Sequence, residues 1–157
     1  MAVNPIPKGY HSVTPNLMVQ GADKAIDFYK KAFNAEEKMR FAGPDGSIIH
    51  AELVIGDTLI VLGEEMPDQG GKSPHTAGGT SVGFFVYGPD VDTAWKRAID
   101  AGAKSIVPLT DQFWGDRSGN VEDPFGHRWW ISQRMEELTP DEMKTRGEAF
   151  FAAGATS

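Results

Sequence analysis

In the run Ile48-Ile49-His50-Ala51-Glu52-Leu53-Val54-Ile55, only His50 and Glu52 carry ionisable side chains. Alternate residues of an extended strand share a face, so His50 and Glu52 point the same way, with Ile48 and Val54. Ile49, Ala51, Leu53 and Ile55 form the other face and suit packing under a helix. An imidazole beside a carboxylate in a concave site makes a base with its orienter, or two ligands of a non-standard metal site. The plainer alternative is that they hydrogen-bond each other or the loop that follows. Glu122 stands in a segment that matches the one around Glu52. Two such carboxylates facing one cavity would repel, and one would keep its proton near neutral pH as an acid/base device. Alternatively, each Glu anchors the turn after it.

A second group lies in the glycine-bounded segment Gln112-Phe113-Trp114-Gly115-Asp116-Arg117-Ser118-Gly119. A loop holding Trp114, Asp116 and Arg117 together suits recognition of a small molecule. Arg117 can clamp a carboxylate or phosphonate through paired hydrogen bonds. The competing reading is an ion pair from Arg117 to Asp116 or Glu122 that fixes the loop. Trp129 and Trp130 are strand neighbours and face opposite sides, so one belongs to the core and the other to a binding surface or subunit contact. His11, His75 and His127 read as structural: His75 solvated in a loop, His127 bonded to backbone in a turn.

Charge and composition narrow the chemistry. The net charge of −7 offers no basic stripe for nucleic acid. The absence of cysteine removes disulfides, thiolate nucleophiles and Cys-ligated zinc. No P-loop, GxGxxG, HExxH or GxSxG is present. No window nears the roughly 18 consecutive apolar residues of a membrane span, and the opening residues lack a signal-peptide core. The expectation is a cytoplasmic protein with a small-molecule ligand, no nucleic acid and no membrane.

The elements that must position these residues occur twice. Residues 10–19 read as a strand that Gly21 ends. Residues 22–33 repeat apolar side chains at helical spacing, and Asn34 closes that helix. Strands follow at 36–41, 47–55 and 58–63, with Gly43-Pro44-Asp45-Gly46 and Gly56-Asp57 as turns. Residues 64–79 lack periodicity and read as a mobile loop. The order then recurs: a strand at 80–87, a helix at 90–101 capped by Asp90 or Asp92, and strands at 104–109, around Val121 and at 128–133. The pattern Glu52-x-x-Ile55-Gly56-Asp57 is repeated as Glu122-x-x-Phe125-Gly126-His127, 70 positions later. Thr139-Pro140-Asp141-Glu142 opens a further helix as a capping box. The fold class is therefore α+β. Two βαβββ modules (residues 10–64 and 80–133) flank a linker (65–79) in a pseudo-twofold arrangement, as a curved mixed sheet around a cavity. A C-terminal helix (136–152) docks on the domain or on a second subunit.

With these residues in view, the chain resembles the vicinal oxygen chelate (glyoxalase/bleomycin resistance/dioxygenase) superfamily over about residues 10–133. Ala25-Ile26-Asp27-Phe28-Tyr29-Lys30-Lys31-Ala32-Phe33 looks like the first helix of such modules. His50-Ala51-Glu52-Leu53, the 112–119 segment, and Glu122-Asp123-Pro124-Phe125-Gly126-His127-Arg128-Trp129 look like the PhnB-like branch. Asn34 departs from the usual glycine. The resemblance implies paired modules and a homodimer. It also implies, in metal-using members, a divalent ion held by the first and last strands of each module. Those ligand positions fall near Thr14, at Ile60 or Val61, near Ser81 or Val82, and near Trp130. Ile, Val and Trp donate no ligand atom and Thr is weak, so the expected cofactor is none.

Two functions follow. One is a binding protein that holds a small organic molecule in the inter-module cavity through Thr14, Trp114, Asp116, Arg117 and Trp130. The other is a lyase/isomerase-type or dioxygenase-type enzyme that uses His50, Glu52 and Glu122 as acid/base groups or non-standard ligands. Fold-level resemblance does not separate them.

Overall fold

The computed structural model describes residues 3–154. The chain forms two compact units. The first runs to Thr80 and also takes in Pro124–Gly126; the second holds Ser81–Asp123 and the chain from His127 onward.

The first unit begins with a strand, β1 (Asn16–Val19), and a helix, α1 (Ala22–Phe33). Gly21 adopts a left-handed conformation (φ 83°) between them. Its side chain cannot cap, so the carboxylate of Glu64 accepts the Gly21 and Ala22 amides, each at 2.9 Å. A carboxylate there satisfies orphan amides and opposes the positive end of the helix dipole. At the other end Asn34 takes the left-handed cap (φ 52°), and its N–H reaches the Tyr29 carbonyl. Asn does here what glycine does elsewhere, as its tolerance of that region predicts. The buried face of α1 holds Ala25, Ile26, Phe28, Tyr29, Ala32 and Phe33.

Strands β2 (Glu36–Ala42), β3 (Ile48–Ile55) and β4 (Thr58–Glu64) follow, and the sheet order is β1-β4-β3-β2. β1 runs parallel to β4, and α1 is the crossover that such a parallel arrangement needs. β1 is shorter than the predicted 10–19. Pro15 has no N–H for a ladder, although its carbonyl still accepts from Val61 N at 2.9 Å.

Residues 64–79 are not the unstructured loop expected. They contain a 3₁₀ turn (Pro67–Gln69) and a short helix, α2 (Pro74–Ala77), capped by Ser73. Met66 and Gly71 form an isolated bridge. The Glu65 carboxylate gathers the Ser73 amide at 2.8 Å, the Thr76 hydroxyl at 2.8 Å and the Gln20 amide at 2.8 Å. Elements this short display no periodicity, which is why pattern reading passes over them. His75 is exposed, as expected of it, and also bonds the Pro124 carbonyl at 2.9 Å through Nε2. Phe125 sits edge-on to Phe28 at 6.0 Å and tilted to Tyr29 at 6.2 Å, and so completes the aromatic core of this unit.

The second unit repeats the plan: β5 (Gly83–Tyr87), α3 (Val91–Ala101), β6 (Lys104–Asp111), β7 (Asp116–Glu122) and β8 (Arg128–Arg134), ordered β5-β8-β7-β6. β5 is parallel to β8, as β1 is to β4. Asp90 caps α3 by accepting the Thr93 amide. β6 and β7 extend past the predicted limits, because their polar and glycine residues hide the strand pattern. One face of the sheet packs on α3 through Val121, Trp129 and Ile131, all buried. Gly119 admits the Trp95 ring of α3 on that side: a Cβ there would stand 2.5 Å from Trp95 Cζ3. The last helix, α4 (Pro140–Ala152), starts with the predicted capping box, Thr139 with Glu142. Phe113 packs on its Phe150 and Phe151 at 5.1 and 5.9 Å. The helix thus docks on its own unit. No described helix is long and apolar enough to cross a membrane.

Candidate functional site

Two clusters of chemically capable side chains emerge, one in each unit. In the first unit β3 places Ala51, Leu53 and Ile55 in the core, while His50, Glu52 and Val54 stay partly exposed. Ile49, expected on the helix-covered face, is 40% exposed. The register of β2 against β3 shifts between Phe41 and Ala42, beside it, and this takes Ile49 off that face. His50 Nε2 stands 3.3 Å from Glu52 Oε1, and the Tyr10 hydroxyl donates to the same oxygen at 2.6 Å. Phe41 and Met39, the cross-strand partners of His50 and Glu52, are exposed beside them.

The hydrogen bond from Tyr10, helped by His50, holds the Glu52 carboxyl below its usual range. The same bond, with burial and the Glu52 charge, pushes Tyr10 up to about 12. Glu52 is therefore a carboxylate at neutral pH. It orients His50. Glu122 is ion-paired with Arg128, whose Nε lies 2.9 Å from Glu122 Oε2 across the β7–β8 pair.

In the second unit the register sets Phe85 beside Trp130 and Tyr87 beside Ser132. It also sets Trp130 beside Asn120, Ser132 beside Ser118 and Arg134 beside Asp116. All of these lie on the face opposite α3. Phe85 and Trp130 are nearly parallel stacked rings (5.8 Å, 8°), and Tyr87 stacks on Phe85 (6.1 Å, 15°). Trp114 meets Trp130 edge-on at 6.2 Å. Phe85 and Tyr87 remain 55% and 54% exposed, although large aromatic rings usually bury most of their surface. At one end lies Asp116, 2% exposed. Its Oδ2 accepts from the Tyr87 hydroxyl at 2.8 Å and Trp114 Nε1 at 3.2 Å. Burial, with the Asp116 hydrogen bond and charge, raises the Tyr87 hydroxyl above its ordinary pKa.

The structure places Trp114 against both Asp116 and Trp130. Arg117 is a correction. Strand alternation turns it to the α3 side, where its Nε and Nη2 reach Asp92 at 3.1 and 2.7 Å and its Nη1 reaches Asp111 at 3.1 Å. All three nitrogens are engaged, so Arg117 secures the start of α3, and neither predicted partner, Asp116 nor Glu122, holds it. Thr14 precedes β1 and donates its hydroxyl to the His11 carbonyl at 3.1 Å. Of the tryptophan pair, Trp129 is the core member, with Nε1 on Asp123 Oδ2 at 2.8 Å. His127 is buried in the turn, and its amide donates to Asp123 Oδ1 at 3.0 Å. Sequence reading missed Tyr10, Phe85 and Tyr87. The alternation Phe85-Val86-Tyr87 contains the signal for the last two, since period two puts both rings on one face.

Of the positions to which the resemblance carries the superfamily's ligands, those near Thr14 and Ser81 hold a hydroxyl oxygen and the others hold no suitable donor. Ile60 is buried and apolar, Val61 and Val82 offer no donor atom, and Trp130 is stacked on Phe85. Among the described residues no group of three or more His, Asp or Glu side chains is arranged to hold a metal.

Comparison with known proteins agrees with this architecture. The sequence profile of the Glyoxalase/Bleomycin resistance protein/Dioxygenase superfamily matches residues 10–131. A Mycobacterium bovis protein, Mb0911c, is 45% identical over 147 residues, covering 92% of this chain and 94% of its own length. The crystal structure of TioX from Micromonospora sp. ML1 superposes with a TM-score of 0.61 at 27% identity, covering 82% of this chain and all (100%) of that one. A PhnB protein from Bacillus cereus shares the fold, with a TM-score of 0.62 at 18% identity over 78% of this chain and 99% of its own. With two βαβββ units and a profile match that spans most of its length, this chain belongs to the Glyoxalase/Bleomycin resistance protein/Dioxygenase superfamily.

Proposed function

We propose that this protein binds a small organic molecule against the aromatic face of its second unit, without a divalent ion at the superfamily's ligand positions. One observation carries the reading: Phe85, Tyr87 and Trp130 form a stacked row whose first two members are more than half exposed. Stacked rings give a large apolar contact at low entropic cost, because each ring has few torsions to lose. A polar group at the edge, Asp116, supplies orientation. A homodimer, expected from the resemblance, is part of the proposal and is tested by sedimentation velocity.

The test is a thermal-shift screen of small aromatic and polar compounds, since a ligand of the folded state raises the melting temperature. Hits are then mapped by amide chemical shifts. Perturbations centred on Phe85, Tyr87, Trp114 and Trp130 support the reading. Hits that perturb only other parts of the protein refute it.

A second reading has its own observation, the Tyr10–Glu52–His50 cluster. His50, oriented by ionised Glu52, has the arrangement of a general base for a lyase or isomerase step. Tyr10 keeps its proton and donates a hydrogen bond to Glu52. Loss of turnover in both His50→Ala and Glu52→Gln, on any substrate found by screening, supports this reading. Unchanged turnover in both removes it.

A further inference from the structure

Asp116 is nearly excluded from solvent (2% exposed), yet only one of its oxygens is satisfied. Oδ2 takes the Tyr87 hydroxyl and the Trp114 indole N–H. Oδ1 is buried and has no hydrogen-bond partner among the described residues. The nearest cation, Arg134, keeps its Nε 3.7 Å from Oδ1, beyond hydrogen-bond reach, with its side chain 62% exposed. A buried charged acceptor without a donor is costly, and such an orphan asks for an explanation. One donor to Oδ2 belongs to the aromatic row and the other abuts it. Tyr87 stacks on Phe85, and Trp114 meets Trp130 edge-on. The unmet acceptor therefore sits at the edge of a surface suited to planar rings.

We propose that the ligand is a planar aromatic ring bearing an N–H donor, which stacks on the Phe85–Tyr87–Trp130 row and donates to Asp116 Oδ1. This names the ligand class for the aromatic face and rests on the reading of that face as a binding surface. A carboxylated ring is the wrong partner, because its charge would meet Asp116. Arg128, another cation on this face, already belongs to Glu122. Arg134 makes the weak contact that the ligand's N–H replaces.

Three bicyclic probes of similar size test this by calorimetric titration of the full-length protein. 2-Aminobenzimidazole offers N–H donors, benzothiazole offers none, and benzothiazole-2-carboxylate adds a negative charge. The expected order has 2-aminobenzimidazole at least about ten-fold tighter than benzothiazole, the scale of a hydrogen bond to a buried charge. Asp116→Asn should erase that gap. Its carbonyl must face Tyr87 and Trp114, which leaves an NH₂ where Oδ1 stood. Arg134→Met should widen the gap by removing the competing cation. If circular dichroism shows Asp116→Asn unfolded, Arg134→Met decides, and unchanged preference there overturns the proposal. A gap that survives in folded Asp116→Asn also overturns it, as does tightest binding of the carboxylate. If no probe binds but the screen yields other ligands on this face, the ring-donor class is wrong and the binding surface stands. If that screen is empty too, both fail.

Discussion

The Tyr10 hydroxyl and the His50 imidazole meet the same oxygen, Glu52 Oε1, at 2.6 and 3.3 Å. A residue ahead of the first strand is thereby tied to the middle of β3. Because Glu52 is depressed, its contribution to stability is present above the unfolded carboxyl value near 4.5 and is lost as pH falls below it. Because Tyr10 is raised to about 12, its contribution is complete below 10 and is lost as pH climbs from 10 toward 12. Tyr10→Phe should cost about 1 kcal/mol near neutral pH. It should also return the Glu52 titration, read by carboxyl NMR, toward its ordinary range.

Gly119 is expected to tolerate no side chain. A methyl there would sit 2.5 Å from Trp95 Cζ3 and 2.9 Å from the Leu109 Cα, so backbone as well as ring must yield. Gly119→Ala should destabilise by about 1–3 kcal/mol, seen as a lower denaturant midpoint with an unchanged slope. Adding Trp95→Leu should recover part of the loss.

Neighbouring tryptophans should respond differently. Trp129→Phe removes a buried donor from Asp123 and leaves a void, at a cost of about 2–3 kcal/mol. Trp130→Phe keeps a ring in the stack and should change stability by less than about 1 kcal/mol, while weakening any ligand of the aromatic face. Paired melts and titrations of the two variants separate these outcomes.

Glu65 governs the order of the 66–77 segment. Its carboxyl, held at about 2 chiefly by the Ser73 amide, should keep that segment closed until pH falls below about 4.5, with loosening complete near 2. Glu65→Ala should speed exchange of the Ser73 amide at neutral pH and leave the β3 amides as protected as before.

Arg117→Ala should release the first turn of α3, seen as faster exchange at its opening amides, and the effect should shrink as salt rises. Ligand affinity at the aromatic face should not change. A loss of affinity with α3 intact would restore the clamp role expected from sequence.

How far the sequence reveals this molecule depends on the length scale of each signal. The repeated strand–helix–three-strand order is legible because each element spans several periods and the turns at Gly56 and Gly126 recur. Asn34 and Thr139 are legible because capping depends on local backbone chemistry alone. Arg117 was misassigned because one step along a strand reverses the face, and only the ladder from Asp116 to Arg134 fixes which face that is. Tyr10 was missed because its partner lies 42 residues away, joined through an irregular segment that has no period to read.

The turn Pro124–Gly126 is spliced into the second half of the chain but packs with the first. A fragment cut after Thr80 would keep every strand of its sheet and still lack the Phe125 ring against Phe28 and Tyr29. The halves of the repeat are therefore not interchangeable cassettes. Exchanging or splitting them leaves a hole that a free peptide spanning 123–127 would be the natural plug to fill.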